Sequence, residues 1–261
     1  MTTFSRPAEI EEILSSLSRF NTATTPVLQD YVTTQCSSGS YDLMANLALL
    51  KLYQFYSEPM RDDAIINILA KSLTVFPNPD FTLALHLLPP SLLHQYKPVS
   101  AEGSSTIPQP PAADSEDQLA NSVQRLTYLN SLLELAAFPA FWRILSSDYD
   151  EEYADLVADV TGFEDAIRRQ ITAAMAYSMH SFKIETAQSW LNFSTKEAVA
   201  QWVEKEMPEW AVEGDLVLHK EEPETAAVVV NGSTQPGAGE IKFDQFSRII
   251  RRVYETELLH R

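Results

Sequence analysis

Apolar residues recur at helical spacing through the first two-thirds of this 261-residue chain, and the densest run extends from Tyr41 to Tyr56. Within this run Leu43, Leu47 and Leu50 share one helical face, while other apolar residues occupy the remaining faces. A helix that is apolar on nearly all sides has to be buried on several of them. The run therefore predicts the central helix of a stack of helices.

Turn and capping residues mark the breaks between the other helical segments. A second helix is predicted to begin with Thr25 as its cap and Pro26 at the first helical position. Pro77 stops a helix that starts near Arg61, and another begins at Phe138 with a proline as its next residue. Further helices are predicted over residues 10–17, 78–89, 119–133 and 149–160. The first part of the chain therefore reads as helices joined by short breaks.

The pattern changes after Gly162. Three helices are predicted over residues 163–180, 184–191 and 194–206, and strand-like segments come only after them. The predicted strands are Asp215–His219, Ala227–Val230 and Ile241–Phe243. Three helices followed by a small hairpin is the order of elements in a winged helix. A terminal helix from Asp244 to about Leu259 closes the chain.

Two segments interrupt this order. Residues 97–117 are rich in Pro, Ser, Ala and acidic residues without an apolar period, and residues 231–239 hold three of the seven glycines. We expect both to be flexible insertions. The predicted organisation is a mainly-α chain with a HEAT-like domain of stacked helical hairpins over 1–160, a winged-helix part of a PCI-type module over 161–243 and a C-terminal helix over 244–261.

Charge and composition limit the classes of partner. The formal net charge is −17, from 36 acidic and 19 basic residues, which argues against nucleic acid as a bulk electrostatic partner. A single cysteine fits a reducing compartment such as the cytosol or nucleus, and no apolar stretch approaches the length of a membrane span. We expect a cytoplasmic protein that does not contact a membrane.

Residues for catalysis or for a cofactor are hard to find. Cys36 has no neighbouring His that would activate it, and the five histidines are scattered without metal-ligand spacing. No phosphate-binding loop, dinucleotide-binding glycine pattern or nucleophile elbow occurs. We therefore predict no catalytic residue, no cofactor and no metal site, and the chain is not expected to be an enzyme.

Two acidic helices have alternative interpretations. The run over residues 148–159 resembles a calcium loop superficially, but Tyr153 stands where the loop needs Gly. An amphipathic helix with a solvated acidic face is favoured, and a surface for a partner is the functional alternative. The third helix of the winged-helix part is also net acidic. Because it would bring carboxylates towards phosphates, DNA reading by this helix is not expected.

The predicted terminal helix carries the candidate interface. Its apolar residues repeat at spacings of three and four and lie beside a basic patch. The apolar stripe consists of Phe243, Phe246, Ile250 and Val253, and the basic patch of Arg248, Arg251 and Arg252. Packing on its own domain and docking into a bundle of helices from other subunits, or a local RNA contact, are both consistent with this pattern.

Four blocks carry a resemblance to a known family. They are Tyr41–Phe55, Asp80–Leu85, Tyr128–Trp142 and Thr161–Arg169. In these blocks and in their order, the chain resembles the subunit k family of eukaryotic translation initiation factor 3, a PCI-domain family. The resemblance implies stacked helical hairpins followed by a winged helix.

The resemblance also implies a function. Such a subunit is a non-catalytic scaffold in a factor that binds the small ribosomal subunit and supports recruitment of initiator tRNA and mRNA. Its nearest neighbours are expected to be subunits l and e, with RNA contact at most local. The alternative is a PCI-type scaffold subunit of a related assembly, the proteasome lid or the signalosome, and the Tyr41–Phe55 block favours the initiation factor.

Overall fold

A computed structural model describes residues 6–89, 92, 117–146 and 151–220 of the chain. The α-helices of this part are α1 (Ala8–Ser15), α2 (Thr25–Ser38), α3 (Leu43–Phe55), α4 (Asp62–Leu73), α5 (Asp80–Leu87), α6 (Gln118–Glu134), α7 (Phe138–Leu145), α8 (Glu151–Ala158), α9 (Phe163–Ser178), α10 (Ile184–Leu191) and α11 (Lys196–Glu206). Two short 3-10 helices, Leu17–Phe20 and Thr22–Thr24, lie between α1 and α2. The strands are β1 (Ser181–Lys183), β2 (Trp210–Glu213) and β3 (Leu216–His219).

Local signals in the sequence set several helix ends. Asp42 caps α3 by accepting a hydrogen bond from the backbone N–H of Ala45 at 3.3 Å. Gly39 ends α2 with a φ of 69°, which favours glycine. The prediction that Thr25 caps α2 is wrong, because Thr25 is already helical and the N-cap position belongs to Thr24. The 3-10 turn over Thr22–Thr24 leads directly into α2, so the helical conformation starts earlier than the Thr-Pro pair indicates.

The central position in the stack belongs to α4. Nine of its 12 residues are buried, and it contacts α2, α3, α5, α6 and α8. Only six of the 13 residues of α3 are buried, although α3 contacts α1, α2, α4 and α5. The prediction that the helix at Tyr41–Tyr56 holds the central position of the stack is therefore wrong, although α3 does pack against several helices. The helix is apolar on more of its circumference than its described neighbours cover.

Polar contacts fix the inner side of α3 to the chain before it. The guanidinium of Arg6 donates to Asp42 at 2.6 Å, and the hydroxyl of Tyr31 donates to the same carboxylate at 3.4 Å. The side chain of Gln35 donates to the buried Asn46 at 2.8 Å. Buried polar groups that find partners orient a helix more strictly than apolar packing does. This side of α3 is therefore closed.

The segment after Gly162 has the winged-helix order of elements. The sheet has the strand order β1-β3-β2 with antiparallel pairing, in which Val217 of β3 lies between Phe182 of β1 and Val212 of β2. The predicted strand Asp215–His219 is confirmed as β3. The prediction that strands come only after the third helix is wrong, since β1 precedes α10, and β2 was not predicted. The predicted strands at 227–230 and 241–243 lie outside the described residues.

A cluster of aromatic side chains around one arginine connects the helical stack to the winged helix. We call it the joint: Phe138 and Trp142 of α7, Arg168 of α9, Trp190 of α10, and Phe193. The indole N–H of Trp142 donates to the carbonyl of Trp190 at 2.8 Å. The guanidinium of Arg168 lies 5.2 Å from the ring centre of Trp142 and 5.1 Å from that of Phe193. The mainly-α fold with stacked helices and a winged helix is thus confirmed, and the residues up to Lys220 belong to one compact unit.

Candidate protein-interaction surfaces

The seven residues predicted for the interface all lie outside the described residues. They are Phe243, Phe246, Ile250 and Val253 of the apolar stripe and Arg248, Arg251 and Arg252 of the basic patch. Their role as an interface stays a prediction. The described surfaces of the winged helix supply independent information on the kind of partner that this end of the molecule can bind.

The third helix of the winged helix, α11, has an apolar inner side and an acidic outer side. Val199 and Val203 are buried, and the indole N–H of Trp202 donates to the hydroxyl of Thr172 on α9 at 2.9 Å. Val203 belongs to the core, while Trp202 is half-buried and packs against it. The exposed side of α11 carries Glu197, Gln201, Glu204 and Lys205.

Both lysines of α11 form ion pairs with neighbouring carboxylates. The ammonium of Lys196 lies 3.3 Å from a carboxylate oxygen of Glu185 and 2.9 Å from one of Asp215. Hydrogen bonds to Asp215 and Glu185 raise the pKa of Lys196. Lys205 pairs with Glu206 at 3.3 Å. Because these cations already have anionic partners, the outer side of α11 is suited to a protein with cationic or neutral groups and repels phosphate.

An apolar groove lies between α9, the end of α11 and the start of β2. Its volume is about 300 Å³, and its lining includes Ala173, Ala176, Met207, Pro208 and Trp210. Tyr177 follows Ala176 in α9 and is 97% exposed. Apolar grooves and exposed large aromatic side chains are both typical of surfaces that bind proteins.

The sheet of the winged helix ends in an edge strand next to this groove. In the order β1-β3-β2, the outer edge of β2 has no neighbouring strand within the described part of the chain. Val212 of β2 and Leu216 of β3 are exposed. Such an edge can accept a strand from another protein through backbone hydrogen bonds.

Sequence reasoning missed these exposed apolar residues. For Tyr177 a signal exists, because the run from Ile171 to Tyr177 is apolar at more positions than one helical face can hold. For Val212 no local signal exists. Its exposure depends on β2 lying at the sheet edge, which only the strand order decides.

The described residues that could carry other chemistry have ordinary structural surroundings. Burial raises the pKa of the Cys36 thiol, although the nearby Lys71 acts in the opposite direction. On α8 the side chains of Tyr153 and Val157 are buried while the acidic residues of its first turn are exposed, which confirms an amphipathic helix with an acidic outer face. Within residues 6–89, 117–146 and 151–220, no group of three or more His, Cys, Asp or Glu side chains is arranged to hold a metal ion. No helix in the same ranges is long and apolar enough to cross a membrane.

Comparisons with known proteins agree with this architecture. The model of the CSN8/PSMD8/EIF3K family matches residues 59–229, which include α4 to α11 and all three strands. The chain belongs to the CSN8/PSMD8/EIF3K family. Its relatives include the protein named Eukaryotic translation initiation factor 3 subunit K in Botryotinia fuckeliana (strain B05.10), which is 44% identical over 253 residues, 96% of this chain and 95% of the relative.

Further members of the family carry the same name. The relative in Sclerotinia sclerotiorum (strain ATCC 18683 / 1980 / Ss-1) is also 44% identical over 253 residues, and the one in Emericella nidulans (strain FGSC A4 / ATCC 38163 / CBS 112.46 / NRRL 194 / M139) is 40% identical over 255 residues. Each match covers 96% of this chain and 95% of the relative. The resemblance drawn from the four sequence blocks is thereby confirmed.

Proposed function

We propose that this chain is a non-catalytic scaffold subunit of eukaryotic translation initiation factor 3, and that it works in the cytoplasm. The observation that carries the proposal is the match, at 44% identity and over nearly the whole of both chains, to relatives named as subunit K of that factor. Identity at this level over a complete fold supports a shared role more strongly than the fold alone does. The assembled factor would bind the small ribosomal subunit and support recruitment of initiator tRNA and mRNA.

The alternative, a scaffold subunit of the proteasome lid or the signalosome, has weaker support. The family model groups three proteins, CSN8, PSMD8 and EIF3K, under one description. Its match starts at residue 59, after the Tyr41–Phe55 block. By contrast, the relatives named as subunit K match 96% of the chain, which leaves at most about ten residues unmatched at the two ends together. Their match therefore has to include Tyr41–Phe55. This favours the initiation factor over the other assemblies.

The partner at the winged-helix end is proposed to be protein. The acidic outer side of α11, its paired lysines and the groove between α9, α11 and β2 all support a protein partner over nucleic acid. Subunits l and e are the proposed neighbours, and any RNA contact is local, through Arg248, Arg251 and Arg252. In the proposed organisation, residues 1–160 form the helical-repeat domain, 161–243 the winged-helix part and 244–261 the terminal helix.

Affinity purification of the tagged full-length chain from its own cells at moderate salt tests the assignment. Mass spectrometry of the stoichiometric partners should recover the other subunits of initiation factor 3, followed by small ribosomal subunits. Recovery of proteasome-lid or signalosome subunits would replace the proposed assembly by the alternative. Recovery of the chain alone would refute a scaffold role.

The same purification tests the terminal stripe. Replacing Phe246 and Ile250 together by Asp should release the chain from its assembly while the helical stack stays folded, because two charges would enter an apolar contact. A matched control replaces Gln245 and Ser247 by Asp, which adds the same charge beside the stripe. Undiminished assembly of the stripe variant, or equal loss in both variants, argues against this interface.

A further inference from the structure

The outer face of α3 is mostly apolar and only partly covered. We define it as the seven residues of the helix that are not buried: Leu43, Met44, Leu47, Ala48, Lys51, Gln54 and Phe55. At 100° per residue these seven fall within one continuous arc of the helix. Five of the seven are apolar, and Met44 and Phe55 are 59% and 60% exposed. A surface helix normally turns polar residues outward, so this face departs from the usual pattern.

Elements that contact α3 also expose apolar residues. The 3-10 helix Leu17–Phe20 contacts α3 and carries Leu17, which is 84% exposed, and Phe20, which is also exposed. On α5, which also contacts α3, Leu83 is exposed. Single exposed apolar residues are common on proteins, whereas several on elements that contact one another are typical of a binding surface.

Two cations, Lys51 on α3 and Arg19 on the 3-10 helix that contacts it, lie over aromatic rings and have no carboxylate partner among the described residues. The ammonium of Lys51 is 4.8 Å from the ring centre of Phe55, and the guanidinium of Arg19 is 4.8 Å from that of Phe20. Lys51 donates to the neutral side chain of Gln54 at 2.6 Å. Other cations of this acidic chain do have carboxylate partners, including Arg6, Arg61, Arg168 and Lys196. The outer face is thus apolar with one cation, Lys51, and a second cation, Arg19, lies on a contacting element, in a protein of net charge −17.

The length, apolar character and charge of the outer face indicate which kind of partner can bind there. From Leu43 to Phe55 the face is about 18 Å long, which matches roughly three turns of a second helix. An amphipathic helix would place its apolar stripe on Met44 and Phe55 and its carboxylates opposite Lys51 and Arg19. A second copy of this chain fits less well, because a symmetric contact of the face with itself would bring the same cations together.

We infer that the outer face of α3 is a docking site for an amphipathic helix of a partner protein that carries carboxylates beside its apolar stripe. The site is separate from the winged helix and from the terminal stripe, and it does not depend on which assembly contains the chain. It gives the helical stack an interface of its own. Lys51 and Arg19 select the acidic partner, while Met44 and Phe55 supply the apolar contact.

A binding assay with two designed helices tests the charge preference. Both peptides of about 18 residues carry the same leucine stripe, flanked by Glu in one and by Lys in the other. Fluorescence anisotropy with the full-length chain should show at least about tenfold tighter binding of the Glu peptide at low salt, and the difference should shrink as salt screens it. Equal affinities, or no binding of either peptide, would overturn the inference.

Variants of the chain make the assay specific. Phe55→Asp should weaken binding of the Glu peptide about tenfold or more, and Lys51→Glu should remove or reverse the preference between the peptides. Tyr177→Asp is the matched control, since it changes an exposed aromatic residue on the winged helix. If Tyr177→Asp weakens binding as much as Phe55→Asp does, the docking site is not on α3.

Photo-crosslinking in the assembled complex identifies the natural occupant. A benzophenone amino acid in place of Met44, in the assembly purified from the protein's own cells, should crosslink to one helical segment with acidic residues beside an apolar stripe. Crosslinks to RNA, to a second copy of this chain or to a basic segment contradict the inference, as does the absence of any crosslink. Because purification itself reports on complex membership, failure of the docking site and failure of the proposed function are distinguishable.

Discussion

The joint and the outer face of α3 are built from similar side chains but differ in what covers them. In the joint, Arg168 lies between two aromatic rings, Trp142 is only 4% exposed, and a hydrogen bond links α7 to α10. On the outer face, Lys51 lies over Phe55 in the same kind of contact, yet the ring is 60% exposed. A cation over an aromatic ring stabilises the fold where other parts of the chain cover both groups. Where the cluster is left open, the same chemistry is available to a partner.

The largest expected difference comes from removing the central aromatic residue of the joint. Trp142→Ala should lower the free energy of unfolding by about 3–5 kcal/mol, because it leaves a cavity and removes the hydrogen bond to the carbonyl of Trp190. Urea unfolding followed by circular dichroism measures the change. Phe55→Ala on the open face is the control and should cost far less. A loss below about 1 kcal/mol in Trp142→Ala would show that the joint is not closed as described.

A matched pair of substitutions compares the two cations directly. Arg168→Met removes the guanidinium that donates to the carbonyl of Leu191 at 2.9 Å and should cost about 1–3 kcal/mol, since that carbonyl loses its partner. Lys51→Met makes the same kind of change on the outer face and should alter stability by less than about 0.5 kcal/mol. The ion pairs of Arg168 with the exposed Glu164 and Asp165 add little to the first value. Similar costs for both variants would remove the distinction between the two regions.

Sequence patterns predicted the closed regions well where the signal is local. The amphipathic period that includes Tyr153 and Leu156 predicted α8, and the three helical segments after Gly162 predicted the helices of the winged helix. The strand β1 was missed because its three residues become a strand only by pairing with β3. The periodicity of one segment carries no information about its pairing with a distant segment.

The open face of α3 shows the limit of the same reasoning. Leu43, Leu47 and Leu50 were assigned to one helical face, but Leu50 is buried while Leu43 and Leu47 are only partly covered. Hydrophobicity does not tell which part of an apolar face a neighbouring helix covers. The contacts of Arg168 also escape a local pattern, although this side chain is covered. Its partners Trp142 and Phe193 lie about 25 residues before and after it in the sequence. The family resemblance predicted the helical stack and the winged helix, whereas the candidate interface at Phe243–Val253 remains a prediction from its periodicity.

The inner side of α3 provides a test by pH. Burial, and then the nearby Asp42, raise the pKa of Tyr31 to about 12 from its usual value near 10. The unfolded chain therefore loses this proton first, so the contribution of Tyr31 is present below pH 10 and is lost as the pH rises towards 12. Between about pH 9 and 11, the wild type should lose about 1 kcal/mol more stability than Tyr31→Phe does. Parallel pH profiles of the two proteins would mean that Tyr31 is not held against Asp42, and that the inner side of α3 is looser than described.

The smallest expected effect is the most informative about the outer face. Replacing Met44 and Phe55 together by Gln exchanges two exposed apolar side chains for polar ones with good helix propensity, so the free energy of unfolding should change by less than about 0.5 kcal/mol per site. Such a face contributes little to folding, and its exposure to water is unfavourable. Binding of a partner helix explains why the chain carries it. Urea unfolding of the full-length chain measures the effect, with Leu49→Gln as a control on the fully buried side of the same helix. If the outer-face variant is as unstable as Leu49→Gln, then the face is covered by the chain itself and the contrast with the joint disappears.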